Sequence, residues 1–141
     1  MFKWLCVVGL LVAFVTACSM PYDYYFDHSE SFSSIKEVCE WICLNIEYEE
    51  DLNNEWQLPH ETYERGKGDC EDTTLLAMYF VHEMGYDPVF VEVRFYATGE
   101  YHAMFGVNEY LYDSCFGQVC YFCEVIRVYD YTKALAKAEK R

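Results

Sequence analysis

The chain has 141 residues, of which 53% are hydrophobic and 19% aromatic, a composition that excludes disorder for most of its length and suits one domain. Its formal net charge of −14 at pH 7 excludes nucleic acid and anionic lipid headgroups as partners of its surface. The same charge favours basic partners or divalent cations.

The N-terminus has the pattern of an export signal. Lys3 gives a basic start, residues 4–15 form an apolar run, and small residues precede Cys18. The run is shorter than the ~20 residues that a membrane-spanning helix needs. Residues 15–18 (VTAC) resemble the lipobox of bacterial lipoproteins, which implies cleavage before Cys18 and a lipid on it. We therefore predict a lipoprotein signal peptide over residues 1–17 and an extracytoplasmic protein anchored to a bacterial membrane. An ordinary secretory signal, with Cys18 incidental, is the alternative.

The mature chain is predicted to begin with a tether. Residues 18–31 mix acids and tyrosines without a clear period, which leaves the domain over residues 32–141. A helix capped by Ser33 or Ser34 is expected to reach about Ile46, because apolar residues recur there at spacings of three and four.

The next segment predicts a loop that leads into a second helix. Residues 47–69 have no apolar period, and a loop this long in a compact domain is often functional. Asp69 can cap a helix that begins at Cys70, and Gly85 is typical of its end.

The second half of the chain predicts strands joined by short turns. These runs are rich in aromatic and β-branched residues and cover residues 89–95, 101–107, 110–113 and 119–129. The tail, residues 132–141, is helix-prone and predicted to be exposed. Helices followed by strands favour an α+β domain with an antiparallel sheet.

Three residues in this arrangement fit covalent acyl chemistry. Cys70 is the thiol nucleophile, His102 opens a strand and can move a proton, and Asp113 ends the next strand and can orient the imidazole. A cysteine at the first position of a helix feels the positive end of the helix dipole, which favours a thiolate. Neighbouring carboxylates oppose that effect.

The motifs around these residues resemble the transglutaminase-like cysteine protease superfamily, in particular its bacterial branch. The resemblance is carried by residues 56–62 (WQLPHET), residues 68–72 (GDCED), and His102-Ala103 with Asp113 after it. It implies a papain-like fold, also called a transglutaminase core. It also implies a cysteine peptidase that hydrolyses amide bonds of polypeptides at the cell envelope through an acyl-enzyme. Amide cross-linking by a transglutaminase is one alternative, and an inactive lipoprotein that binds calcium or peptide is another.

The resemblance also suggests auxiliary residues. A second oxyanion donor upstream of the cysteine is usual in the wider family, which points to Gln57, while Trp56 is expected to pack against the catalytic helix. The chemistry requires no cofactor. Clustered carboxylate oxygens suit calcium, and on analogy with relatives Asp69 and Glu71 are its candidate ligands, although both can equally cap the helix.

The remaining cysteines and histidines carry weaker signals. Five cysteines are left once the signal, the lipid anchor and the nucleophile are set aside, and disulfides, a zinc site or free thiols remain open for them: Cys39, Cys43, Cys115, Cys120 and Cys123. The other histidines, His28, His60 and His82, are predicted to lie on the surface without a catalytic role.

Overall fold

The computed structural model describes residues 24–119 and 121–140, and in that part of the chain three helices precede a five-stranded antiparallel sheet and a fourth follows it. The helices there are α1 (Ile35–Asn45), α2 (Pro59–Arg65), α3 (Cys70–Glu83) and α4 (Tyr131–Glu139). The strands are β1 (Glu47–Tyr48), β2 (Lys67–Gly68), β3 (Val89–Phe95), β4 (Tyr101–Val107), β5 (Tyr110–Asp113), β6 (Gly117–Val119) and β7 (Cys123–Asp130). The predicted α+β class is confirmed.

The main sheet has the strand order β6-β5-β4-β3-β7, with antiparallel pairing throughout. Strands β3, β4 and β5 have the predicted bounds, because alternating apolar residues and short turns fix them locally. The tight turn between β4 and β5 uses Asn108 at φ 56°, a left-handed conformation that asparagine tolerates. Phe105 pairs with Tyr112, so Asp113 lies diagonally across from His102 on the neighbouring strand.

Helix α3 forms the centre of the fold. Its residues 72–81 are all buried, since the helix packs against α1, α2, α4 and strand β4. A helix enclosed on every side needs apolar residues all round instead of a single stripe. Its Tyr79 and Phe80 are nearly inaccessible to solvent, at 1% exposure each. This burial holds the first turn of α3, and therefore Cys70, in a fixed position relative to the sheet.

The predicted loop over residues 47–69 contains a helix, α2, and the short parallel pair β1–β2. Helix α2 begins with Pro59 at its first position, which suits a residue without an N–H. Glu61 accepts a hydrogen bond from the Leu58 N–H at 2.7 Å. The helix was not predicted because its seven residues are too few to show a helical period.

The predicted tether differs from the structure over residues 24–31. Phe26 stacks on Tyr79 of α3 with ring centroids 4.4 Å apart, and the Tyr24 hydroxyl lies 2.6 Å from His60 Nδ1. These residues pack on the core, so the folded part of the chain starts before residue 32. Residues 18–23 and the signal lie outside the described residues.

The C-terminal region also differs from its predicted form. The expected strand over residues 119–129 is divided between β6 and β7, and α4 is not exposed: Tyr131, Ala134, Leu135 and Ala138 are buried on one face. Asp130 caps α4 by accepting the Lys133 N–H at 2.8 Å. Among the described residues, no helix has the length and apolar character needed to span a membrane.

Candidate active site

The start of helix α3 fixes the position of the Cys70 backbone. The buried Asp69 carboxylate caps the helix, and its Oδ1 accepts the N–H groups of Glu71 at 3.1 Å and Asp72 at 3.3 Å. The Thr73 N–H donates to the Asp69 carbonyl at 3.0 Å. These contacts use the N–H groups of Glu71, Asp72 and Thr73. The N–H of Cys70 is therefore the first-turn donor that remains available for a ligand.

Hydrogen bonds to Asp72 stabilise this first turn of α3. It is fully buried and accepts hydrogen bonds from the backbone N–H of Gln57 at 2.7 Å and from that of Asp69 at 3.2 Å. A Cβ atom on Gly68 would lie 2.6 Å from the Asp72 Cβ, so the sequence needs glycine at this close approach. Burial raises the pKa of the Asp72 carboxyl, while its hydrogen bonds from Gln57 and Asp69 oppose that rise.

The Cys70 thiol is half-buried and lies beside a carboxylate. Its Sγ donates a hydrogen bond to Glu71 Oε2 at 3.0 Å. Burial first, and then the charge and hydrogen bond of Glu71, raise the pKa of Cys70 far above its ordinary value. The Ala103 N–H has the opposite effect and lowers the pKa of Cys70. The net effect is contrary to the thiolate that the helix dipole predicts, and it means that attack by the sulfur requires a base.

His102 and Asp113 form a closely joined pair. His102 Nε2 lies 2.6 Å from Asp113 Oδ2, and the imidazole stacks on Phe95 at 5.7 Å between centroids. Asp113 is 3% exposed, and its Oδ1 accepts the N–H groups of Cys115 and Phe116. Burial tends to raise the pKa of Asp113, but these hydrogen bonds and His102 hold it below its ordinary value.

An ionised Asp113 selects the histidine tautomer. The carboxylate can only accept, so His102 Nε2 must carry the proton that lies between the two groups. In a neutral ring, Nδ1 is then the unprotonated nitrogen and is able to accept a proton. The imidazole is thus prepared to act as a base.

Hydroxyl groups tie the sheet to the first turns of α3. Thr74 Oγ1 donates to the Ala103 carbonyl at 3.2 Å, next to His102. Ser114 Oγ donates to Thr73 Oγ1 at 2.9 Å, next to Asp113. Since Thr73, Thr74 and Ser114 are all buried, these bonds fix the strands that carry the pair against the helix that carries Cys70. Sequence reasoning did not identify these residues, although two threonines in an otherwise apolar helix directly after the motif were a usable signal.

Gln57 has a different partner from the predicted oxyanion. Its buried side-chain Nε2 donates to Asp72 Oδ2 at 2.5 Å, and its Oε1 is a buried atom without a hydrogen-bond partner among the described residues. Gln57 therefore supports Asp72, and its oxyanion role stays a prediction. Trp56 lies in the same core cluster as α3 and stacks on Phe90 at 4.5 Å.

The predicted calcium ligands are occupied by protein donors. Asp69 caps α3, and Glu71 accepts the Cys70 thiol proton. Residues 24–119 and 121–140 contain no group of three or more histidine, cysteine, aspartate or glutamate side chains placed to hold a metal ion. Burial and the neighbouring charges of Asp72 and Glu71 raise the pKa of Asp69 to about 7.

The other histidines have structural contacts. The His28 side chain is 8% exposed, which differs from its predicted surface position, and its Nε2 lies 2.7 Å from Glu83. His60 bonds to Tyr24, and His82 Nδ1 lies 3.3 Å from the Tyr86 carbonyl. None of these contacts involves Cys70.

Comparison with known proteins identifies the family of this chain. The model of a family described as a transglutaminase-like domain matches residues 22–140. The chain belongs to this transglutaminase-like family. A crystal structure of a proposed cysteine protease from Cytophaga hutchinsonii shares the fold, with a TM-score of 0.52 and 15% identity over 68% of this chain. The match covers 41% of that protein, and comparison with curated proteins gives no match. The predicted superfamily and the papain-like fold are confirmed.

Proposed function

We propose that this transglutaminase-like protein is an extracytoplasmic cysteine peptidase that hydrolyses amide bonds of polypeptides. The observation that carries the proposal is the His102–Asp113 pair, at 2.6 Å, tied by hydroxyl hydrogen bonds to the helix that begins with Cys70. The pair supplies an oriented base, the helix start supplies a thiol, and the Cys70 N–H supplies an oxyanion donor.

The reaction begins with transfer of the thiol proton. When a substrate carbonyl enters, the Cys70 thiol turns from Glu71 to His102 Nδ1 and gives up its proton as the sulfur bonds to the carbonyl carbon. The oxygen becomes negative and accepts a hydrogen bond from the Cys70 N–H. Asp113 stabilises the imidazolium, in keeping with the lowered pKa of its carboxyl.

The second half of the reaction releases the two products. His102 returns the proton to the departing amine, which leaves a thioester on Cys70. Water, activated by the same imidazole, then attacks this acyl-enzyme and frees a carboxylic acid and the thiol. No cofactor takes part in these steps.

Transamidation is the second candidate, and the family match is the observation that favours it. A primary amine would replace water in the attack on the thioester and produce a new amide. The same three residues serve both reactions, so the fate of the acyl group distinguishes them. An inactive binding module would form no thioester at all.

The proposed location is extracytoplasmic, with the protein anchored by a lipid to a bacterial membrane. It rests on the sequence around Cys18, which predicts a lipid anchor. Expression of Cys18→Ala in a bacterial host should move the protein from the membrane fraction to the soluble fraction. A variant that stays in the membrane with its signal removed would contradict the anchor.

Reactivity of the thiols tests the assignment of the nucleophile. Iodoacetamide at neutral pH should label Cys70 before the other described cysteines, because His102 can deprotonate it, and His102→Ala should slow the labelling. Cys123, half-buried on β7, is the internal comparison. Equal labelling of Cys70 and Cys115 would show that the site does not activate its thiol.

Turnover tests the reaction. We expect unfolded casein to be cleaved, with Cys70→Ser inactive and Asp113→Asn reduced by about 10²–10⁴-fold. Mass spectrometry with and without a fluorescent primary amine separates the outcomes. New carboxyl termini indicate hydrolysis, amine incorporation indicates transfer, and unchanged casein together with a thiol that is not preferentially labelled indicates a binding module.

A further inference from the structure

A second group of cysteines lies behind Asp113. Helix α1 carries Cys39 and Cys43 one turn apart, and it packs against β6, which begins two residues after Cys115. The Gly117 N–H acts on the Cys39 sulfur, and the Cys43 and Cys115 thiols interact with each other. The two contacts align one helix face with residues 115 and 117.

We propose that Cys43 and Cys115 form a disulfide when the protein reaches an oxidising environment. They are thiols in this structure, and they interact with each other near the place where α1 packs against β6. An exported protein passes into a compartment where such bonds form and persist. The bond would join α1 covalently to the segment that holds Asp113.

Accessibility favours this pair over one with Cys39. Cys39 is 1% exposed and belongs to the main core cluster, whereas Cys43 is exposed and Cys115 is half-buried. An external oxidant can therefore reach Cys43 first and leave Cys39 unmodified.

The reaction is a thiol–disulfide exchange with a small disulfide such as oxidised glutathione. The Cys43 thiolate attacks that disulfide, forms a mixed disulfide and releases one thiol. Cys115 then loses its proton and attacks the Cys43 sulfur, which releases the second thiol. In total the two cysteines are oxidised by two electrons and lose two protons, while the external disulfide is reduced to two thiols.

The bond would act on the site through one backbone contact. The Cys115 N–H donates to Asp113 Oδ1 at 2.9 Å, so fixing residue 115 also fixes the carboxylate that orients His102. The closed loop holds about 70 residues, a length for which a disulfide restricts the unfolded chain strongly. The stabilisation of the oxidised protein does not depend on the proposed function, whereas formation of the bond in the cell rests on the proposed export and the effect on His102 rests on the proposed activity.

The test uses the purified full-length protein treated with oxidised glutathione. Peptide mass spectrometry should find the Cys43 and Cys115 peptides joined, with the loss of two hydrogen atoms. The melting temperature should rise by about 8–16 °C over the reduced protein, from typical values for a disulfide and a domain of this size. Cys43→Ser and Cys115→Ser should each abolish the rise, and Cys123→Ser should keep it.

Three results would overturn the proposal. The first is glutathione adducts on Cys43 and Cys115 without a joined peptide, and the second is a joined peptide that contains Cys39 instead. The third is a melting temperature that rises in Cys43→Ser and Cys115→Ser as much as in the unsubstituted protein. None of these measurements uses casein turnover or Cys70 labelling. A failure of the disulfide is therefore distinct from a failure of the proposed peptidase.

Discussion

Replacing Asp69 with asparagine should make the protein more stable at alkaline pH while keeping the helix cap. Asparagine caps as well as aspartate, and its Oδ1 can accept the same N–H groups of Glu71 and Asp72. Its amide can donate to the Glu71 carboxylate, which already interacts with the Asp69 carboxyl. What the substitution removes is a buried negative charge beside two other acids.

The sign of the effect follows from the pKa of Asp69. Burial and neighbouring acids raise it from 3.8 to about 7 in the folded protein. Between about pH 4 and pH 7 the folded carboxyl keeps its proton and the unfolded one loses it, so stability falls as pH rises through that window. Asp69→Asn lacks the titrating group and lacks this fall.

The magnitude is set by the part of the window that the measurement covers. From pH 5 to pH 7, two pH units at ~1.4 kcal/mol each give at most ~2.7 kcal/mol. Because Asp72 and Glu71 share the interaction, we expect the advantage of Asp69→Asn to grow by about 1–3 kcal/mol between pH 5 and pH 8. Urea unfolding of both proteins at a series of pH values measures it.

Asp130→Asn is the matched control. Asp130 also caps a helix, but it lies on the surface, and its hydrogen bonds with Lys133 lower its pKa. Its contribution is present above the unfolded pKa and is lost only as pH falls below it, so the substitution should give a constant small loss between pH 5 and pH 8. An Asp69→Asn protein whose stability has the same pH slope as the wild type would refute the reasoning.

Three further predictions concern the helix start, the metal and the tail. Gly68→Ala should lower the free energy of unfolding by about 1–3 kcal/mol and slow iodoacetamide labelling of Cys70, because the new Cβ would lie 2.6 Å from the Asp72 Cβ. Gly99→Ala, in an exposed turn, should leave the labelling unchanged. A chelator should leave casein turnover unaltered, since Asp69 and Glu71 already accept protein hydrogen bonds, and restoration of a lost activity by calcium would support the calcium site instead. Leu135→Ala should cost about 2–5 kcal/mol in urea unfolding because Leu135 is fully buried, and a loss as small as that of the exposed Lys140→Ala would contradict the packing of α4.

Local signals predicted the centre of the chain well. Strands β3, β4 and β5 and the start of α3 at Cys70 have their expected bounds, since alternation, short turns and an aspartate cap all act over a few residues. The same local order placed His102 and Asp113 on adjacent strands. Their hydrogen bond needs only the register of one hairpin.

The two ends of the domain depend on contacts that are distant in sequence. Phe26 stacks on Tyr79, more than fifty positions later in the chain, and Leu135 packs into the main core cluster, most of which comes from much earlier residues. Ala134 and Ala138 lie on one face of helix α4, and such small residues are as compatible with an exposed helix as with the buried one observed. The burial of these segments depends on residues that are distant in the sequence, so the local pattern did not predict it.

The acidic motif shows why composition alone could not assign the roles of its carboxylates. Asp69 caps the helix, Asp72 holds Gln57 and fills the space that Gly68 leaves, and Glu71 accepts the thiol proton. The presence of three neighbouring acids in the sequence favours a calcium site, yet in the structure each acid has a different protein partner. Because burial, Glu71 and Asp69 raise the pKa of Cys70, the proposed reaction depends on His102 to remove the thiol proton during attack.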